Sequence, residues 1–296
     1  MPHSRVVFVA VLALALAGCA ATGESGRQRM VAPQGVGAVY SEFEVQAQLA
    51  VASDATCAEG ACATRAAFQR QVARLGTALS HAAYREFPQL RRRIYNFYFQ
   101  TPAKSDIGIL SSALGTIVVL DGVRSLEADD GTLAYLLARE MGHVIAEHHE
   151  ENSATSLLVS AAVTLALPVA NLLRGAAATA PAAMGTGTAT AVSVAGGRAL
   201  RSMYRPDQVQ EADAIAMRLV LQAGYEPEDV VAGLAKLAPR LKRDGWMGEL
   251  LVSNDYLLAG LAGPPVPPAV PPDLGGLALE TSLAQPPISS PAPDPR

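Results

Sequence analysis

Apolar residues recur at three- and four-residue steps in several stretches of the chain. Phe68, Val72, Leu75, Leu79 and Ala82 do so between Thr64 and Tyr84, which predicts an amphipathic helix packed on a core. Leu133, Leu136, Leu137, Met141, Val144 and Ile145 form a second stripe, preceded by Asp129 and Asp130, where a helix N-terminus favours acid. A third helix is predicted from about Asp207 to Ala223, with Gly224 as its C-cap signal, and Pro227 opens a further helical stretch to about Leu241. Between the first two helices the pattern changes to alternation. Ile94 to Phe99 and the run between Gly115 and Gly122 read as strands. The pattern predicts a mainly helical α+β domain over residues 41–262, with order beginning near Tyr40.

Three stretches lack that patterning. Residues 19–40 are rich in Gly, Ala and Gln and read as a linker. Within an insert over 154–200, Ser156 to Leu173 is apolar enough to cover the domain or dip toward lipid; Pro168 interrupts it, and a true membrane span is the alternative reading. The Pro-rich tail, 263–296, cannot build a core.

The N-terminus carries a targeting signal. Arg5 precedes an unbroken apolar run, Val6 to Ala17, too short to span a bilayer and fit for a secretory signal over residues 1–18. It ends in Leu16-Ala17-Gly18-Cys19, which resembles the lipobox of bacterial lipoproteins, in which the cysteine is lipidated and becomes the mature N-terminus. An ordinary signal peptide is the alternative. The resemblance implies a lipid-anchored protein of the bacterial envelope, and the absence of Asp after Cys19 favours the outer membrane, facing the periplasm. In that oxidising compartment Cys57 and Cys62 suit a local disulfide, free thiols being the other reading. The formal net charge of −4, with 17% charged residues, supplies no global basic field and argues against nucleic acid as a partner. The one cationic cluster, Arg91 to Arg93, reads as a solvated helix end.

Chemistry concentrates in "LAREMGHVIAEHH", Leu137 to His149. A zinc helix works because two histidines four residues apart lie on one face while a glutamate beside the first polarises bound water. Glu140 and His143 fit that arrangement, with Glu140 as general base, but the residue four before His143 is Arg139, which has no lone pair to offer. On a continuous helix His148 and His149 lie roughly 140° and 240° around from His143, off its face unless the helix ends first. Glu140, His143 and Glu147 share a stripe that could hold a metal in an unusual way, though a polar stripe on an amphipathic helix is the commoner case.

The stretch resembles the "LAHEMGHVxARHH" helix of the zinc metallopeptidase family that includes the CAAX prenyl endopeptidases, the HtpX heat-shock protease and periplasmic lipoprotein or β-barrel-assembly proteases. "GTIVVLDG" resembles the edge strand preceding that helix, and "YRPDQVQEADAIAMRLVLQAGYEPED" resembles the family's second motif. The resemblance covers roughly residues 64 to 245 and implies a gluzincin-type fold with a small sheet beside the HExxH-like helix. It implies a third zinc ligand four residues before Asp213, where this chain has Val209, and a supporting role for Asp213 behind the metal. Glu211 stands about 200° around the helix from Val209, which is predicted to join Ala212, Ala216 and Leu219 on an apolar face. The family's later His-Pro motif is absent, since no histidine follows His149; Trp246 and Tyr256 read as packing residues.

With two of three ligands replaced, Arg139 is expected to pair with Asp213, Glu140 or both. The reading that follows is a pseudopeptidase that binds or chaperones envelope proteins or peptides by strand addition beside Ile117 to Leu120, with no cofactor. The alternatives are an active zinc metalloendopeptidase with a rearranged ligand set, including His143, and a purely structural envelope lipoprotein.

Overall fold

The computed structural model describes residues 20–22, 26–55, 61–157 and 204–262. Cys19, Cys57, most of the apolar insert and the Pro-rich tail lie outside the described residues. No helix among the described residues is long and apolar enough to cross a membrane.

The described residues begin with a small antiparallel pair, β1 (Ala20–Thr22) and β2 (Gln28–Met30). Helix α1 (Gln34–Val51) follows, then α2 (Ala61–Glu86), on which Phe68, Val72, Leu75, Leu79 and Ala82 are all buried, as their spacing predicts. A three-stranded sheet is built from β3 (Tyr98–Gln100), β4 (Ile109–Ser111) and β5 (Thr116–Val119). Next come α3 (Asp130–Ile145) and a helical stretch, α4, over 148–157. The rest is α5 (Pro206–Gln222), α6 (Pro227–Leu237) and α7 (Gly245–Ala262).

Residues 28–40, expected as linker, form β2 and the start of α1, because Arg27 and Arg29 find carboxylate partners on the domain that composition does not reveal. The strand holding Ile117 is also not an edge. β5 lies in the middle, parallel to β3 and antiparallel to β4. Among the described residues, the free edge nearest α3 belongs to β4. Its ladder to β5 uses the Gly108–Leu120 and Ser112–Thr116 pairs, so by alternation the amides and carbonyls of Ile109 and Ser111 face away from β5.

Helix α3 is the central element. Asp129 caps it, its side chain accepting the Thr132 amide at 2.8 Å. Every residue from Thr132 to Ile145 is buried, so the predicted apolar stripe is part of an all-round buried helix whose polar face is sealed by other elements. Gly142 sets the distance to α5: a Cβ there would lie 2.5 Å from the Ala212 carbonyl oxygen. The helix stops at Ile145, with Arg93 donating to the Val144 and Ile145 carbonyls at 2.7 and 3.0 Å. Arg93 is therefore a cap for α3, not a solvated cation. Glu147 then adopts the left-handed conformation, φ 60°, and redirects the chain into α4.

Candidate functional site

Arg139, Glu140 and His143 all point into the interior, Arg139 and His143 with no exposed surface. The Arg139 guanidinium lies 3.3 Å from Glu140 Oε1, 3.4 Å from Asp213 Oδ1 and 3.4 Å from Glu249 Oε2. Its Nε also donates to Ser253 Oγ at 3.1 Å. Asp213 Oδ1 accepts the Tyr135 hydroxyl at 2.6 Å and the Ser253 hydroxyl at 3.0 Å. The spacing explains the convergence. Tyr135 and Arg139 are four apart on α3, Glu249 and Ser253 four apart on α7, so each pair shares a face.

One cation thus sits among three buried carboxylates. Burial works against the guanidinium charge, but Asp213, Glu140 and Glu249 outweigh it and keep Arg139 protonated. Burial pushes Glu140 and Asp213 above the usual carboxylate range and Glu249 up to about 7, with Arg139 opposing the rise in each case.

Glu140 also faces a cavity of about 270 Å³, lined in part by Val45, Ser111, His149, Tyr204 and Trp246. Its Oε1 accepts from Trp246 Nε1 at 3.0 Å and its Oε2 from Ser111 Oγ at 2.9 Å; Ser111 Oγ is 3.0 Å from His149 Nε2. Trp246, expected as packing, therefore holds the glutamate. Ser111 brings the free edge of β4 to the same cavity.

His143 stacks on Tyr204, ring centroids 3.6 Å apart, and its Nδ1 lies 2.9 Å from His148 Nδ1. The break at Glu147 creates this contact, which an unbroken helix forbids. His148 Nε2 in turn meets Glu211 Oε2 at 3.3 Å. Glu211, about 200° around α5 from Val209, is buried against this flank because the folded-back chain carries His148 round to it. Burial, then the Arg139 charge, holds His143 well below the usual imidazole range, and burial lowers His148 too. With both rings neutral, the carboxylate assigns the protons: His148 donates from Nε2 to Glu211, and His143 donates from Nδ1 to His148. That leaves His143 Nε2 as a lone pair, buried and without a hydrogen-bond partner among the described residues. Glu211 is held down to about 2, because His148 and Arg27 outweigh its burial.

The donor set does not fit zinc. His143 Nε2 is available, but Val209 is buried and offers no lone pair, and the position of the other histidine holds a guanidinium in contact with Glu140 and Asp213. Among the described residues no group of three His, Cys, Asp or Glu side chains is arranged to hold a metal. Of the remaining sequence candidates, Cys62 is disulfide-bonded, and Tyr256 is exposed and does not line the cavity. Ser111, Tyr135, Tyr204, Glu249 and Ser253 were not singled out from sequence. Glu249 and Ser253 carry a signal, a polar pair four residues apart flanking the apolar Leu250 to Val252.

A helix bearing Glu140 and His143, a second helix bearing Asp213 and a small sheet whose free edge meets them define a metallopeptidase-type scaffold. The model of peptidase family M48 matches residues 107–259, just over half of the chain, and the chain belongs to that family. No curated protein and no solved structure matches it.

Proposed function

We propose that the chain is a pseudopeptidase of this family, which holds extended segments of envelope proteins at its cleft and does not cut them. The observation that carries this reading is the Arg139 guanidinium, buried against Glu140 and Asp213 where catalysis by the family's chemistry needs a metal and its water. The free main-chain groups of Ile109 and Ser111 supply a strand edge beside the cavity, so an extended peptide can add to β4 without any catalytic step. Lipidation at Cys19 would place this activity on the periplasmic face of the outer membrane. One feature favours the active alternative: the lone pair of His143 Nε2, which has no partner among the described residues, is the atom a zinc ion would seek.

β-Casein, a largely unstructured polypeptide, tests both. The pseudopeptidase retains fluorescently labelled casein, with saturable anisotropy, and leaves it intact on a gel after prolonged incubation. Cleavage products that disappear in Glu140→Gln would establish the active alternative; absence of any binding would remove the holding role.

A further inference from the structure

We propose that residues 26–51 form a releasable strap that closes one wall of the peptide-holding cleft. The inference rests on the holding role proposed above and adds its regulation. The strap lies entirely outside the segment that matches the peptidase family, which begins at residue 107.

One end is a polar clasp. Arg27 reaches Glu151 through two bonds, 2.8 and 2.9 Å, and lies 3.2 Å from both Glu211 and Asp207. Arg29 reaches Glu147 at 3.4 Å, and the Ala32 amide donates to the Glu150 carbonyl at 3.0 Å. These partners include the turn that folds His148 back toward His143 and the helix that carries His149 into the cavity. Gly37 then passes so close to Glu150 that a Cβ would lie 2.7 Å from its Cγ.

The other end is a small apolar seat. Ser41 Oγ accepts the Ala113 amide at 2.9 Å, just past the end of β4. Val45 packs on Val118 and Leu120, with Leu49 and Leu110 beside them, in a cluster separate from the main core. No α1 residue belongs to the main core. Glu44, Val45 and Gln48 form the α1 wall of the cavity opposite Glu140 and Trp246. Release of the strap therefore removes that wall and bares Leu110, Val118 and Leu120 next to the free edge of β4, while the main core stays packed.

If only the released form binds fully, apparent affinity is reduced by the fraction released, and loosening the strap tightens binding in proportion. Two variants of the full chain loosen it by different means. Arg27→Ala with Arg29→Ala opens the clasp, and Val45→Asp unseats α1 without touching the clasp. Hydrogen exchange is expected to quicken about tenfold or more over residues 34–51 in both, with α3 and α5 still protected. Labelled casein is expected to bind about tenfold more tightly to both. The strap is overturned by faster exchange with unchanged casein affinity, or by loss of protection throughout α3, which would make α1 a part of the core. Casein that binds none of the three proteins overturns the holding role itself, and the strap with it; casein that binds wild type and both variants equally overturns the strap alone.

Discussion

Arg139 is one charge serving three carboxylates. Replacing it by Met would leave Glu140, Asp213 and Glu249 buried around a neutral side chain, and breaking a buried ion pair from one side costs about 3–5 kcal/mol. Denaturant unfolding of Arg139→Met should show a loss of that order, and a loss within error of zero would mean that the cluster does not depend on the cation. Glu249 gives a pH signature. Its folded-state value of about 7 lies above the ordinary 4.5, so between those values the unfolded chain has lost a proton that the folded protein keeps. Stability from this group is full below about 4.5 and declines as pH rises to about 7. Glu249→Gln should remove that decline from the stability–pH curve; an unchanged slope would assign the titration to another group.

At the scale of elements, the contact between α3 and α5 is set by Gly142. Gly142→Ala forces a methyl to within 2.5 Å of the Ala212 carbonyl and should cost about 1–3 kcal/mol, read as a lower Tm; a neutral substitution would mean that the helices separate freely. Helices α2, α3 and α5 were legible in the sequence because buried residues at Phe68, Leu75, Leu79, Leu137 and Leu219 repeat with the helical period. The pairing of Arg139 with Asp213 was legible too, since the resemblance to the family implies that both positions lie at one site. The order of the strands was not. Three strands of three or four residues carry no pattern that separates a central strand from an edge. Nor was the break after Ile145, which contains neither Gly nor Pro: Glu147 takes φ 60° because Arg29 and Arg93 hold its carboxylate and the α3 carbonyls are capped from elsewhere. That break turns His148 and Glu211 from unrelated residues into neighbours.

For the molecule as a whole, a peptidase-family scaffold carries a buried arginine, Arg139, among three carboxylates, and the proposed strap packs beside the cavity next to it. Glu151 and Glu211, both held to about 2 with Arg27 among their partners, keep the clasp charged at neutral pH. Because those values lie below the ordinary 4.5, their contribution is full above about 4.5 and is lost as pH falls toward 2. Protection against exchange over residues 34–51, relative to the intrinsic rate at each pH, should therefore fall on acidification before that of the main core. We propose that Arg139 and Val209 keep zinc out of this site. Elemental analysis of the full chain, purified without chelators or a metal-binding tag, tests it most directly, alongside Arg139→His with Val209→Glu. Zinc far below one equivalent is expected in the natural protein, and about one equivalent in the double variant, where three protein ligands are in place. Stoichiometric zinc in the natural protein, lost on His143→Ala, would contradict it.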